Sequence, residues 1–255
     1  MSYKEICYRC EALATSREHV PPLCLFPKSS FDFRKNLITV PSCDIHNSKK
    51  SQDDEFLMIS LAGIVGNNEV GVAYAKTKVD KALRRKHVHF FDKKILHKAK
   101  SVIMNTIDGE KLSVFIGNPD IDRFIRCFES IAYGLYFHET KSVFEGNVNM
   151  IFDFIYYEDP TLNTLAKLMK KQFSLEFYHN VKKGENDLVF QYQFSDPDEF
   201  GFIALKLTFY GNTEVFISLQ PNGKSVPFNL GIELIKLGKP VTIKLGDEEF
   251  KFNCK

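Results

Sequence analysis

The chain has 255 residues and a mass of 29.4 kDa, with 34 Lys and Arg against 32 Asp and Glu, which argues against a polybasic protein that binds anionic partners over its whole surface. Its 44% of hydrophobic and 26% of charged residues are typical of folded proteins and exclude general disorder. No run approaches the about 18 consecutive apolar residues of a membrane-spanning helix and no apolar signal core follows Met1, so we expect a soluble, cytoplasmic protein without a membrane partner.

The cysteines are concentrated near the N-terminus. They are Cys7, Cys10, Cys24, Cys43, Cys127 and Cys254. Cys7 and Cys10 form a C-x2-C knuckle, and Cys43 and His46 form a C-x2-H knuckle. Two-residue spacers let both side chains of a tight turn converge on one ion, and three sulfurs with one imidazole are a ligand set typical of structural Zn²⁺. The alternative is a group of buried thiols beside a surface histidine, and small core thiols are the preferred interpretation of the other three cysteines.

Polar residues that a structural zinc site does not need lie between and after the knuckles. Glu18 and His19 are adjacent, Asn36 precedes a short apolar run, and Asn47 directly follows the last zinc ligand. With these residues in this order, the segment from Cys7 to Phe56 resembles the HNH endonucleases, which have a ββα-metal fold. The resemblance implies a first strand that carries Glu18 and His19, a turn at Asn36 into a second strand, and a helix that starts near Asn47.

The resemblance also implies roles for these residues. Glu18 and Asn47 would hold a catalytic Mg²⁺ or Mn²⁺, His19 would be the general base for a water, and the zinc knuckles would tie the loops around the motif. Lys50 either contacts the phosphate or is an ordinary surface charge. The chemistry suits phosphodiester hydrolysis, because a hard cation on oxygen ligands relieves phosphate charge and an imidazole with an ordinary pKa of about 6.5 accepts a proton near neutral pH.

The segment departs from the usual HNH pattern at several positions. Glu18 stands where Asp is common, and His46 is the last zinc ligand where Cys is more usual. A different register would make His46 the third motif residue, but it would leave the zinc set one ligand short. Because neighbouring strand residues point to opposite faces, Glu18 and His19 can flank one phosphate only if the strand is twisted or the Glu18 side chain reaches round.

The remaining chain predicts helices followed by strands. We expect helix over 54–75 with a break at 66–68, over 76–100, over 120–138 and over 160–171. Strands are predicted at 173–178, 188–194, 200–210 and 214–220, with a last hairpin over 241–252. Within the second helical segment, the basic residues Arg84, Arg85 and Lys86 either grip a phosphate backbone or form a solvated face.

These patterns predict an α+β protein with two parts. Residues 1–60 would form an N-terminal ββα-metal module of the HNH type with bound zinc. Residues 61–255 would form a helical segment and a mainly antiparallel β domain that recognises a target, dimerises or binds a protein partner. The expected function is cleavage of DNA, in bacterial defence against phage or mobile DNA by analogy of architecture. The alternatives are a zinc-ribbon module that binds nucleic acid or protein without cutting, and a nuclease subunit that needs a partner.

Overall fold

The computed structural model describes residues 5–28, 32–47, 51–79, 96–105, 111–224 and 227–254. These parts of the chain form a mixture of helices and sheets, and every strand pair in them is antiparallel. The predicted α+β class is confirmed at this level. None of the helices in these ranges is long and apolar enough to cross a membrane.

The N-terminal part begins with a short two-stranded sheet. Strand β1 (Ser16–His19) pairs with β2 (Thr39–Ser42), and the backbone N–H of Val20 extends the pairing by donating to Ile38. The second strand therefore starts two residues later than predicted. Two helices follow, α1 (Asp44–Asn47) and α2 (Ser51–Ala62).

The predicted break in the next helical stretch is confirmed. Gly66 has a φ of 102°, which favours glycine, and Asn68 then caps helix α3 (Glu69–Tyr74) by accepting a hydrogen bond from the Gly71 N–H at 3.1 Å. A π-helical turn, Ala75–Val79, continues it.

A strand pair follows where the sequence predicted helix. Strand β3 (Leu96–Asn105) pairs with β4 (Lys111–Pro119), so the helix predicted over 76–100 is wrong at its end. The cause is tertiary: pairing with a partner strand overrides a local composition rich in Lys and Ala.

Helix α4 (Ile121–Thr140) confirms the predicted amphipathic helix. The Asp120 side chain caps its start by accepting a hydrogen bond from the Arg123 N–H at 3.0 Å. Phe124, Phe128 and Ile131 lie three or four residues apart and are all buried in the main core.

A four-stranded sheet stands at the centre of the C-terminal part. It consists of β5 (Gly146–Phe152), β6 (Phe190–Phe194), β7 (Ile203–Phe209) and β8 (Thr213–Pro221), in the order β5-β8-β7-β6. The strands predicted at 188–194, 200–210 and 214–220 are thus confirmed.

Helix α5 (Pro160–Glu176) packs against β5 and β8 of this sheet. The strand predicted at 173–178 is wrong, because this segment is the end of α5. Phe173 and Phe177 are one helical turn apart and lie in one small core with Phe216 of β8, where the Phe173 ring contacts the other two rings. The aromatic residues that suggested a strand are therefore buried through helical spacing instead.

The chain ends in helix α6 (Pro227–Lys236) and the predicted hairpin of β9 (Val241–Leu245) and β10 (Glu248–Phe252). Leu168 of α5 joins Ile235 and Phe252 in a second small core. The main core is larger and continuous: it includes Cys7 and Val40 near the N-terminus and Leu219 in the sheet. The predicted division at residue 60 stays a prediction, but hydrophobic packing runs across it.

Candidate metal centre and adjacent cleft

The two predicted knuckles come together in space. The sulfur atoms of Cys7, Cys10 and Cys43 and a ring nitrogen of His46 all lie within 4.8 Å of one another. The His46 Nδ1 atom is 3.4 Å from Cys7 Sγ, 3.5 Å from Cys10 Sγ and 3.3 Å from Cys43 Sγ. The four residues could hold a metal ion, and in the described parts of the chain no other group of three or more His, Cys, Asp or Glu side chains converges in this way.

The spacing of the donor atoms is compatible with zinc. Zn–S bonds of about 2.3 Å and a Zn–N bond of about 2.0 Å in a tetrahedron imply S···S edges of about 3.8 Å and S···N edges of about 3.5 Å. The Cys10 and Cys43 sulfurs are 3.9 Å apart, close to that edge and far from the about 2.05 Å of a disulfide. Cys7 and Cys43 are free cysteines with nearly complete burial, as a closed structural site requires.

Backbone hydrogen bonds fold each knuckle. The Cys7 N–H donates to the Ala12 carbonyl at 2.8 Å, and the N–H groups of His46 and Asn47 donate to the Cys43 carbonyl at 3.1 and 3.0 Å. Burial raises the pKa of the Cys43 thiol, but hydrogen bonds from the backbone of His46 and from the neighbouring thiols outweigh it and leave this pKa below its ordinary value. The pKa of the neighbouring Cys10 thiol is raised instead, mainly by burial, so the thiols of the cluster differ in how readily they lose a proton.

Two neighbouring cavities lie near the Cys/His cluster, and His46 of the cluster lines the first of them. The first, of about 190 Å³, we name the α4-side cavity; its lining includes His46, Glu18, His19 and, from helix α4, Arg126. The second, of about 230 Å³, we name the Asn47-side cavity; it is lined by Arg17, Glu18, His19, Pro22, Leu23, Asn47 and Asp54. Glu18, His19, Pro22 and Asp54 line both, so the cavities are neighbouring parts of one cleft.

The adjacent residues Glu18 and His19 both reach this cleft. Neighbouring positions on a strand point to opposite faces, but β1 is only four residues long and His19 is its last residue. The cleft lies at this end of the strand, where both residues border it.

Asn47 is held in place by one end of its side-chain amide. Its Nδ2 donates a hydrogen bond to Ser16 Oγ at 2.7 Å and so joins the end of α1 to the start of β1. No hydrogen bond from a described residue reaches its Oδ1. An amide fixed through nitrogen can present its oxygen to a hard cation, which fits a ligand for Mg²⁺ or Mn²⁺.

The other predicted site residues stand apart from the cleft or outside the described ranges. Asn36 has a left-handed backbone, with a φ of 51°, and its amide donates to the Glu185 carboxylate at the surface. It lines neither cavity. The remaining predicted contacts, namely Lys50, Arg84, Arg85 and Lys86, lie outside the residues that the structure describes.

Comparison of the chain with family models, with curated proteins and with solved structures gives no match. The resemblance to HNH endonucleases therefore rests on the residues and on their placement. The α+β class and the presence of a Cys/His cluster that could hold a metal ion do not depend on it.

Sequence reasoning missed most of the residues that line the cleft, among them three charged side chains. Asp54 lines both cavities, and Arg9 and Arg126 line the α4-side cavity. Asp54 stood in an acidic run at the start of a helix and Arg9 stood inside a zinc knuckle, so each had a simpler explanation. No local signal could have found Arg126, because only tertiary packing brings helix α4 to the N-terminal part of the chain.

Proposed function

We propose that the protein is a metal-dependent endonuclease of the HNH type that hydrolyses phosphodiester bonds in DNA. The observation that carries the proposal is that Asn47, which lies far along the chain from the adjacent residues Glu18 and His19, borders the same cleft as they do, beside the Cys/His cluster. A module that only binds has no need for a carboxylate, an imidazole and an amide around one cavity.

Each residue then has a defined task. His19 accepts the proton of the attacking water through its imidazole, which requires a neutral ring at working pH. Glu18 and the Asn47 Oδ1 atom offer hard oxygen ligands for Mg²⁺ or Mn²⁺. Such an ion, when bound, supplies charge relief on the phosphate and on the leaving oxygen.

The Cys/His cluster has a structural task in this proposal. Cys7, Cys10, Cys43 and His46 would hold the zinc, and a bound ion would join the segment before β1 to the segment after β2. His46 directly precedes Asn47 and also borders the α4-side cavity. Fixing His46 in the zinc site would therefore also fix Asn47, the proposed catalytic ligand. Four protein ligands close the zinc coordination sphere, which is typical of structural and not of catalytic zinc.

The test is conversion of supercoiled plasmid DNA to nicked or linear forms by the purified full-length protein. We expect conversion with Mg²⁺ or Mn²⁺ and none after dialysis against a chelator that leaves zinc bound, with zinc measured on the same samples. Returning Mg²⁺ alone should restore cleavage. A zinc-loaded protein that binds DNA but never cuts it under these conditions would favour the binding-module alternative.

A further inference from the structure

Helix α4 forms one wall of the cleft that carries the proposed catalytic residues. Arg126, Cys127, Ser130 and Ile131 of this helix line the α4-side cavity together with Glu18 and His19. Cys127 and Ser130 are buried, whereas Arg126 is exposed to solvent at the cavity. A cationic side chain from the C-terminal part of the chain therefore faces the proposed reaction site.

Arg126 differs from the arginines around it. Arg9 contacts Glu129 at 3.2 Å and Ser130 at 3.0 Å, and Arg123 contacts Asp53 at 2.6 Å. Arg126 makes no ion pair with any residue that the structure describes. Two acids lie one turn away from Arg126 on its own helix: Glu129 is engaged by Arg9, and Asp122 is exposed and makes no ion pair with Arg126.

Other charged side chains also line the two cavities. Arg9 pairs with Glu129, Arg17 with Glu5, and Asp53 with Arg123, so these charges are already balanced in part. Glu18 and Asp54 line both cavities, and carboxylates at these positions repel a phosphodiester. A guanidinium offers five N–H donors in a planar fork that matches phosphate oxygens, so Arg126 has the chemistry to offset that repulsion.

We infer that Arg126 contacts a phosphate of the nucleic acid and holds it against the Glu18–His19 end of the cleft. The inference rests on the proposed function, which identifies the ligand of the cleft as nucleic acid. It makes helix α4 part of the substrate-binding surface, although this helix lies far beyond the segment that resembles an HNH module. The role is one of substrate binding and positioning, since the proton transfer is assigned to His19.

The test measures DNA binding and DNA cleavage separately on the full-length protein. Binding of a fluorescein-labelled DNA duplex is followed by anisotropy over a range of salt concentrations without Mg²⁺, and plasmid cleavage is followed with Mg²⁺. The variants are Arg126→Ala, Arg126→Lys and, as a matched control, Lys167→Ala. Lys167 is an exposed cation on helix α5 that lines neither cavity and has no ion pair among the described residues.

We expect Arg126→Ala to weaken binding about tenfold and to reduce the slope of log affinity against log salt by about 0.9, the value for one lost phosphate contact. Arg126→Lys should restore the slope but only part of the affinity, and Lys167→Ala should match the wild type. Unchanged binding and slope in Arg126→Ala would overturn the inference even if the protein cleaves DNA. If the wild type binds and the predicted losses occur without any cleavage, the contact stands and the nuclease proposal fails.

Discussion

The Arg9 guanidinium contacts the Glu129 carboxylate at 3.2 Å and so joins the first zinc knuckle to helix α4 across 120 positions of the chain. The same guanidinium donates to Ser130 Oγ at 3.0 Å and lies 4.9 Å from the centre of the Tyr133 ring. Arg9 thus connects the proposed metal centre with the helix that forms the opposite wall of the cleft.

We expect Arg9→Ala to lower the free energy of unfolding by about 2 kcal/mol, because it removes a charged hydrogen bond, an ion pair and a cation–π contact that are about three-quarters buried. Lys170→Ala is the matched control, since it removes a more exposed ion pair with Asp153 and should lower stability by less than about 1 kcal/mol. Urea unfolding measures both. Equal losses in the two variants would contradict a structural role for the Arg9 contacts.

Zinc binding at the Cys/His cluster is tested by changing one ligand. Cys43→Ser should reduce bound zinc from about one ion per chain to nearly none and should lower stability by several kcal/mol, because metal binding and folding are coupled at such sites. Cys254→Ser is the control, as this cysteine is exposed and outside the cluster. Elemental analysis gives the zinc content. Full zinc in Cys43→Ser would show that the cluster is not the site.

The thiols outside the cluster should differ in reactivity. Burial is the main cause that raises the pKa of both Cys24 and Cys127 to about 12, so at pH 8 only about one molecule in ten thousand carries either thiolate. We expect iodoacetamide at this pH to modify exposed Cys254 first and to reach partly buried Cys24 and buried Cys127 only after unfolding. Peptide mass spectrometry identifies the sites. Rapid modification of Cys127 in the folded protein would contradict its packing at the cleft wall.

Glu139 should make stability depend on pH. Partial burial raises the pKa of this carboxyl, but hydrogen bonds from Lys183 at 2.5 Å and from Tyr192 at 2.8 Å outweigh burial and leave the pKa below its ordinary value of 4.5. The unfolded chain then binds the proton more readily than the folded one. The stabilisation is therefore fully present above about pH 4.5 and is lost as the pH falls through the lower folded-state pKa.

Glu139→Gln should consequently be less stable than the wild type at about pH 7, by about 1 kcal/mol or less because the ion pair is partly exposed to solvent. The difference should shrink as the pH is lowered below about 4.5. Urea unfolding of both proteins at a series of pH values measures it. A difference that is the same at every pH would show that the charge of Glu139 contributes nothing.

The Cys/His cluster was predictable because the information that forms each knuckle is local. The two-residue spacing within each knuckle brings Cys7 and Cys10, or Cys43 and His46, together in a single turn. The fold then has only to bring the two knuckles next to each other. The amphipathic helix at 121–140 was predictable for the same reason, since its apolar residues repeat within one element.

The errors and omissions arise where distant segments decide the outcome. The sequence suggested a strand that contains Phe173 and Phe177. These residues are instead one helical turn apart, and this spacing buries both of them in a small core with Phe216 of the neighbouring sheet. Arg126 had no feature that distinguished it from other surface charges. Its position at the cleft depends on packing of helix α4 against β2 and α2, which no local pattern reports.

The most direct test of the account is the rate of plasmid cleavage by His19→Ala relative to the wild type, with both proteins fully loaded with zinc and supplied with Mg²⁺. A lost general base predicts a rate lower by about 10²- to 10⁴-fold, with zinc content and the free energy of unfolding retained. Cleavage by the variant at the rate of the wild type, or an inert wild type with intact zinc, would contradict the assignment of this cleft as the active site.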